Sequence, residues 1–348
     1  MPRWSEMNVR LRLFVLLLLV ATPLLALMPD PYLLKLATRT VIFALAASAL
    51  DLALGVGGLV SFGHAAFFGL GAYVVGINFL HAFEGSRLLG LPPTSDIYLQ
   101  LLLAAALGAF FALLSGAVSL RTRGIAFIMI TLAFAQMLFY LSVSLRRYNG
   151  ADGIALWNRS DGRFLDLESE PTFYLFALFW LLAFLLFGWR LQHSRFGRAL
   201  RAARDNERRA RALGFDVHRI RLTAYVLSGT VCALAGALFA NFTYFVGPSY
   251  LSWPISGQLV VMVVMGGLGT LFGPVLGALA FVGLEELLPD LLDRLLPGFG
   301  EHWKIVLGPV LLLLALFARR GLLGAIEGRR RTTGRRPAKP FLEAAAGD

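Results

Sequence analysis

Residues 222–284 read LTAYVLSGTVCALAGALFANFTYFVGPSYLSWPISGQLVVMVVMGGLGTLFGPVLGALAFVGL, 63 positions without one Asp, Glu, Lys, Arg or His. A helix crosses the hydrocarbon core of a bilayer, about 30 Å thick, with about 20 apolar residues. The run therefore has room for three crossings. Of the 348 residues in the chain, 57% are hydrophobic and only 15% are charged. That composition excludes an ordinary soluble domain and a disordered chain.

Other apolar runs extend the pattern along the chain. Residues 41–80 are interrupted only by Asp51 and His64, and they have room for two more crossings. Five further runs supply one crossing each, at 13–29, 98–120, 124–145, 171–189 and 305–318. The sequence therefore predicts an all-α polytopic membrane protein with about ten transmembrane helices.

The two ends of the chain differ from this central part. The run at 13–29 has no small-x-small cleavage site after it, which favours an uncleaved first span over a signal peptide. We assign residues 1–34 to the N-terminus and first span, 35–325 to the transmembrane domain, and 326–348 to a basic tail that we expect to be disordered. The single cysteine, Cys232, lies in an apolar run, so we expect no disulfide or metal site.

Basic residues predict the orientation. With both termini inside, 23 of the 32 Lys and Arg residues fall on the inner side and nine on the outer side, which favours an N-in, C-in topology. The net charge of +11 then reflects topology and attraction to anionic membrane lipid. We expect no nucleic-acid partner.

The segment 190–221 lies between the predicted sixth and seventh spans and holds RFGRALRAARDNERRARALGF at 195–215, with seven arginines. Apolar and small residues recur there at steps of three and four, which predicts a helix over 194–213. Ser194 can cap its start, and Gly214 follows its end. Alternatively, the RDN at 204–206 divides it into two short helices, because Asp and Asn are also good N-caps.

Charge pairs and small residues leave two interpretations of this helix open. Asp205 with Arg209 and Glu207 with Arg211 are spaced for i, i+4 ion pairs. The arginines alone are explained by anchoring to acidic lipid. The small residues would also let a cytosolic subunit approach closely, which favours docking.

Polar residues inside spans are costly and therefore candidates for function. Five that lie in apolar runs are our candidates for lining a transport path: Asp51, Ser61, His64, Gln136 and Asn241. Glycines crowd around two of them in GVGGLVSFGHAAFFGLGAY, which permits either a tight turn followed by close helix packing or a broken helix that lines a cavity. His64 is as well explained by packing as by gating.

Several ordered motifs together resemble the permease family of branched-chain amino-acid ABC importers, of the LivM type. They are GGLVSFGHAAFFGLGAYVVG (57–76), RTRGIAFIMITLAFAQM (121–137), NGADGI (149–154), SRFGRALRAARDNERRARALGFDVHRIRLTAYVLSG (194–229) and GGLGTLFGPVLGA (266–278). The resemblance covers about residues 35–325. It implies the type II importer architecture in a bacterial cytoplasmic membrane, and import of branched-chain or related hydrophobic amino acids.

The resemblance also implies partners. These are a second, paralogous permease forming a heterodimer, two cytosolic ATPase subunits, and a periplasmic or extracytoplasmic amino-acid-binding protein. The chain has no P-loop, since none of its three lysines follows a glycine. We therefore expect a transport subunit that is not an enzyme and binds no cofactor, with ATP and Mg at the partner ATPases.

By resemblance, the segment at 195–214 is the coupling helix that sits in a cleft of the ATPase. The residues assigned to it are Gly197, Arg198, Ala199, Ala203, Arg204, Asp205, Asn206, Glu207 and Gly214. Asp205 and Glu207 would face basic groups of the ATPase. The outer segment 146–171 would meet the binding protein through Trp157, or is simply a solvated loop.

Two alternatives remain from the sequence. The same machinery could import urea or short amides, because selectivity in such importers lies largely with the binding protein. A secondary transporter would also have broken helices, but it usually needs an ion site, and Asp51 is the sole carboxylate deep within an apolar run.

Overall fold

The computed structural model describes residues 30–87, 92–295, 303, 305–309 and 321–327. The predicted first span at 13–29 lies outside these residues, and so does most of the span predicted at 305–318. The count of ten spans and the N-in, C-in orientation therefore stay predictions. A short helix continues through Glu327, so the first two residues of the predicted disordered tail are helical.

Helices account for most of the described chain, and we number them in order. They are α1 (Pro31–Asp51), α2 (His64–Glu84), α3 (Ile97–Ser119), α4 (Ile125–Ser144), α5 (Glu170–His193), α6 (Arg195–Asp205), α7 (Glu207–Ala212), α8 (Val217–Thr243), α9 (Trp253–Gly266), α10 (Gly273–Leu295) and α11 (Gly321–Glu327). α1 continues directly into a π-helix at Leu52–Val56, and 3₁₀-helices occupy Arg146–Tyr148 and Pro248–Leu251.

One departure from an all-α fold is a pair of two-residue strands. β1 (Ile154–Ala155) pairs antiparallel with β2 (Phe245–Val246), with Ile154 opposite Val246. The pairing fixes the segment after α4 to the end of α8.

Six helices within the described residues are long and apolar enough to cross a membrane. They are Pro31–Val56, His64–Glu84, Ile97–Ser119, Ile125–Ser144, Glu170–His193 and Val217–Thr243. The run at 222–284, predicted to hold three crossings, contains most of α8, then the 14-residue α9, then the first half of α10. At 1.5 Å per residue α9 rises only about 21 Å, less than the hydrocarbon thickness.

Contacts among the segments that connect the long helices give the bundle two ends. The arginine-rich end comprises the connections 57–63, 120–124, 194–216 and 267–272. The loop end comprises 85–87, 92–96, 145–169 and 244–252.

α1 occupies the middle of the bundle and α4 its edge. From Val41 to Asp51 every residue of α1 is buried. α4 buries a single stripe, and its remaining faces carry exposed apolar side chains. The stripe consists of Phe127, Thr131, Ala135, Leu138 and Ser142.

α2 and α8 cross at backbone contact through two glycines. A Cβ at Gly71 would overlap the carbonyl oxygen of Ala233, and a Cβ at Gly236 would overlap that of Phe68. Small residues permit this approach, which is a common way for helices to pack in membranes. The sequence interpretation of close packing along 55–73 therefore applies to Gly71.

Candidate functional site

The arginine-rich segment folds as two short helices. The Ser194 hydroxyl accepts from the Gly197 amide at 3.2 Å and begins α6. Asn206 has an extended backbone, and its side chain accepts from the Arg209 amide at 3.0 Å, which begins α7. The two-helix alternative is thus confirmed and one continuous helix is wrong. Gly214 adopts a left-handed backbone with φ of +85°, as its position after the helix predicted.

The break changes one of the two predicted ion pairs. Glu207 pairs with Arg211 at 2.6 Å, as the i, i+4 spacing predicted. Asp205 pairs with Arg204 at 3.2 Å rather than with Arg209. The cause is Asn206, whose extended backbone takes Asp205 and Arg209 off a common helix.

Glu207 lies at the centre of a cluster of three arginines. Its Oε1 accepts from Arg123 at 2.7 Å and Arg211 at 2.6 Å, and its Oε2 accepts from Arg221 at 2.9 Å. The side chain is only 15% exposed. Both oxygens therefore face the chain itself, in contrast to the expectation that Glu207 faces basic groups of an ATPase. The cluster ties α7 to α8 and to the turn before α4.

The electrostatics of the cluster favour the carboxylate. Partial burial alone would raise the pKa of Glu207, but the charges of Arg221, Arg123 and Arg211 and the hydrogen bond from Arg221 outweigh it. The net result is a pKa below its ordinary value. Arg221 also donates to the Ala203 carbonyl at 3.1 Å, so one guanidinium holds both short helices against α8.

The small residues of the segment serve packing within the chain. Gly197, Ala199, Ala203 and Ala210 are buried, and a Cβ at Gly197 would overlap the carbonyl oxygen of Leu191. The expectation that these residues let another protein approach closely is therefore wrong for these four. Their burial places α6 and α7 flat against the bundle.

The outward side of the segment carries charge and two apolar side chains. Arg198, Asp205, Arg208 and Gly214 are exposed. Leu213, which belongs to the apolar pattern of the predicted helix, is 69% exposed, and Phe215, which the sequence interpretation did not single out, is 42% exposed. Their position just after a short amphipathic helix was the available signal.

Arg204 reaches from α6 into the end of α1. Its Nη1 donates to the Gly55 carbonyl within the π-helix. Its methylene groups pack on Gly58, where a Cβ would come within 2.6 Å of the Arg204 Cγ. The guanidinium also lies beside Gly269. The residue assigned to coupling thus contacts two glycine turns.

Asp51 is buried at the same place. Its Oδ1 accepts from the Gly269 amide at 2.7 Å, which joins α1 to the turn between α9 and α10. A Cβ at Gly55 would overlap both Asp51 Oδ1 and the Gly269 nitrogen. Asp51 also borders a small cavity of about 20 Å³ with Ser48 and Thr270. The carboxylate therefore holds a turn.

His64 and Ser61, two candidates for a transport path, are fully buried. His64 Nε2 lies 2.8 Å from the Ser228 hydroxyl, which itself donates to the Ala49 carbonyl. Since that hydroxyl proton is used, Nε2 is the donor in the contact with Ser228. The Ser61 hydroxyl accepts from the Gly63 amide at 3.1 Å. Both groups pack within the bundle.

The other two path candidates lie on different elements. Gln136 is half-buried on α4, away from the stripe that α4 packs against the bundle. Asn241 accepts from the Ser160 amide at 2.8 Å and donates to Ala237 at 3.0 Å, so it holds the loop end.

The segment 146–171 is organised around one buried arginine. The Arg159 side chain, 1% exposed, donates to the carbonyls of Leu167, Glu168 and Asn241 and pairs with Glu170 at 2.9 Å. It also lies over the rings of two aromatic residues, Phe173 at 4.4 Å and Tyr244 at 5.1 Å.

The organised loop presents a surface at the loop end. Trp157 is 79% exposed beside a cavity of about 360 Å³ that Phe79, Phe83 and Gln100 also line. The segment is therefore more than a solvated loop.

Comparisons with known proteins place the chain among transport proteins. The family described as "Branched-chain amino acid transport system / permease component" matches residues 32–316. The chain is 28% identical to the high-affinity branched-chain amino acid transport system permease protein LivM of Escherichia coli over 348 aligned residues, covering 93% of this chain and 77% of the relative. The Salmonella typhimurium protein of the same name gives 28% over 347 residues, with the same coverage.

A shorter match shows the breadth of the group. The autoinducer 2 import system permease protein LsrC of Klebsiella pneumoniae is 36% identical over 129 residues, covering 34% of this chain and 37% of the relative. No solved structure matches the chain.

Proposed function

The chain belongs to the family of branched-chain amino acid transport permease components, and on that premise we propose that it forms half of the translocation path of an ATP-driven importer. Its substrates would be branched-chain or related hydrophobic amino acids. ATP hydrolysis would be supplied in trans, with ATP and Mg bound by two cytosolic ATPase subunits. The chain itself would contribute movement and a path.

The observation that carries this proposal is the fold of residues 194–216. Two short helices lie between two candidate spans, packed flat on the bundle, with their buried side anchored by Glu207 and their other side exposed. A secondary transporter or a channel has no need for such an element. An importer driven by a separate ATPase needs a surface on which the ATPase can push.

We assign the roles within the segment from burial. Arg198, Asp205, Leu213 and Phe215 are exposed and would contact the ATPase. Glu207 would act inside the chain, holding α7 to α8, so that a push on the exposed side moves both helices together. This retains the coupling role proposed for the segment and changes how Glu207 takes part in it.

The arrangement in the membrane follows from the same proposal. The arginine-rich end would face the cytoplasm of a bacterial cell, with the chain in the cytoplasmic membrane and both termini inside. The loop end would face the binding protein, with Trp157 and the cavity of about 360 Å³ on the surface that it meets.

A second permease of the same architecture would complete the path. α4 packs by one stripe only, and Gln136 lies on its opposite side. An amide at the middle of a span is costly against lipid, so a partner permease or a water-lined path is the better neighbour.

Two alternatives concern the substrate and the mechanism. The partial match to an autoinducer 2 permease, like the earlier alternatives of urea and short amides, would keep the machinery and change the cargo. A secondary transporter centred on Asp51 is less favoured, because one oxygen of that carboxylate already holds the Gly269 amide.

Co-purification tests the proposal directly. The tagged chain would be isolated from native membranes as wild type, as Glu207→Ala, and as Glu84→Ala, an exposed carboxylate at the loop end. Mass spectrometry should find two ATPase chains and a second permease with the wild type and Glu84→Ala, and less ATPase with Glu207→Ala. Purified complexes in proteoliposomes with the binding protein should then take up radiolabelled leucine only with ATP. Isolation of the chain alone, in detergents that preserve other complexes, would contradict the proposal.

A further inference from the structure

We propose that Arg204 is a positioning residue that transmits movement of α6 to α1 and to the turn between α9 and α10. The inference rests on the proposed function, in which an ATPase acts on α6 and α7. It concerns the route inside the chain after that contact. Contact between the ATPase and α6 does not by itself determine which element of the bundle α6 displaces.

The first observation is that Arg204 joins two elements far apart in sequence. Its guanidinium donates to the Gly55 carbonyl, 149 positions away, and its methylene groups rest on Gly58. Gly58 has φ of +71°, so the turn brings backbone against the arginine where a side chain would be in the way. Movement of α6 along the bundle axis must carry or break this contact.

The second observation is that the contact continues to a third element. Asp51, one turn before Gly55, accepts from the Gly269 amide at 2.7 Å, and the Arg204 guanidinium lies against the same glycine. We define the glycine cluster as Asp51, Gly55, Gly58, Arg204 and Gly269. At Gly55 even a Cβ would collide with both Asp51 and Gly269. The three elements therefore fit together without room for independent sliding.

The third observation is the local structure at the end of α1. Residues Leu52–Val56 form a π-helix, and such widened turns are frequent at functional sites. An arginine near the C-terminal end of a helix satisfies carbonyls that lack helical partners and opposes the negative end of the helix dipole. Loss of Arg204 would leave the Gly55 carbonyl without this donor at the point where α1 is already unwound.

The central position of α1 connects the glycine cluster to most of the bundle. α1 is buried from Val41 onward and lies against α5, α8, α9 and α10. A shift of the C-terminal end of α1 therefore displaces the helices packed against it, since packed helices move as units. By contrast, the Glu207 cluster holds α7 to α8 and to the turn before α4 only.

A purely local role for Arg204 makes a different prediction. Its other partner is Asp205, an exposed neighbour at 3.2 Å, and an exposed pair of this kind contributes little. If Arg204 acted only through that ion pair or through its positive charge, Arg204→Lys would leave uptake per ATP unchanged. If Arg204 positions the glycine cluster, Arg204→Lys should retain part of the uptake per ATP, because lysine keeps the charge but lacks the planar fork of the guanidinium.

The experiment uses the reconstituted complex with its ATPases, second permease and binding protein. Arg204→Ala, Arg204→Lys and the control Arg121→Ala, an exposed arginine at the same end, are compared with wild type. Complex recovery, basal ATP hydrolysis and leucine uptake per ATP are measured. We expect uptake per ATP to fall about fivefold or more in Arg204→Ala, the lower range of typical coupling between sites. Arg204→Lys should be intermediate and Arg121→Ala like wild type.

Hydrogen exchange on the wild-type complex gives a test that does not depend on a variant folding. Addition of a non-hydrolysable ATP analogue should change exchange in α6 and α7, and with them in peptides 52–63 and 267–272. A change in α6 and α7 that leaves both peptides as they were would overturn the inference, and so would normal uptake per ATP in Arg204→Ala. Absence of ATP-dependent uptake by the wild type would instead contradict the proposed function.

Discussion

Arg159 at the loop end and Arg204 at the arginine-rich end perform the same local task in different surroundings. Each donates to backbone carbonyls from a distant part of the chain. The Arg159 side chain is 1% exposed and has three carbonyl partners, a carboxylate and two aromatic rings. The Arg204 side chain is 40% exposed and has one carbonyl and the neighbouring Asp205.

The difference separates a fixed contact from one that can change. Removing a buried, fully paired charge from its partners is costly, so the loop around Arg159 should keep one arrangement throughout transport. Water can solvate the half-exposed Arg204 guanidinium as it moves, so this contact can shift together with α6. The loop end is therefore suited to presenting a constant surface, and the arginine-rich end to moving.

The largest effect is expected at Arg159. Replacement by methionine keeps much of the side-chain volume but leaves the Glu170 carboxylate and three carbonyls without this donor. Breaking a buried pair in this way typically costs about 3–5 kcal/mol. Thermal unfolding of the purified chain in detergent, followed by circular dichroism, should show the loss. A cost below about 1 kcal/mol would contradict the distinction between the two ends.

Glu207 should give the next largest effect. Glu207→Gln removes the charge that holds three arginines, and hydrogen bonds to charged groups contribute about 1.5–3 kcal/mol. The expected result is faster hydrogen exchange in α7 and uncoupling of ATP hydrolysis from transport, with membrane insertion unchanged. Exchange in α7 equal to that of the wild type would show that the cluster does not hold the helix.

The pH dependence of the same carboxyl should be smaller and has a definite sign. Its pKa in the folded chain lies below the ordinary value of 4.5, so the folded state binds fewer protons there than the unfolded state. Its stabilising contribution is therefore present above about pH 4.5 and is lost as the pH falls through the lower, folded value. The free energy of unfolding should be measured for the wild type and for Glu207→Gln from about pH 3 to about pH 7. The difference between the two should decrease at the acid end of this range. A difference that is constant across the range would contradict it.

The smallest effect is expected at Arg147, which sharpens the comparison within the loop end. It pairs with Glu84 at 3.0 Å, and both side chains are well exposed. Exposed pairs contribute about 0–1 kcal/mol, so Arg147→Met should unfold close to the wild type. A loss as large as that of Arg159→Met would mean that position in the loop, rather than burial, decides the cost.

Local patterns in the sequence predicted much of the fold. Apolar runs located the six candidate spans, and the capping residues Ser194 and Asn206 located the starts of α6 and α7. These signals are local, because a helix and its cap are specified by residues within a few positions. The short α9 was also encoded, since Pro254 lies at its start and glycine follows its end, but the long uncharged run concealed it.

Contacts between distant residues could not be predicted in the same way. Glu207 meets Arg123 across 84 positions, and Asn241 meets Ser160 across 81. The spacing in the sequence paired Glu207 with Arg211 and left Asn241 as a candidate for the transport path, and several other arginines are present that Glu207 could have met. Only the packing of the bundle decides among them, and that packing depends on the whole chain.

The crossing of α2 and α8 also determines which genetic changes the protein tolerates. Gly71 and Gly236 each face a carbonyl oxygen where any Cβ would overlap. Every missense change in a glycine codon adds at least that atom, so neither codon has a neutral amino-acid replacement. In a library of all single substitutions, all nineteen alternatives should be depleted at these two positions. At the exposed Gly85 and Gly124 a Cβ would meet open space, so substitutions there should be disfavoured mainly by the positive φ of the backbone.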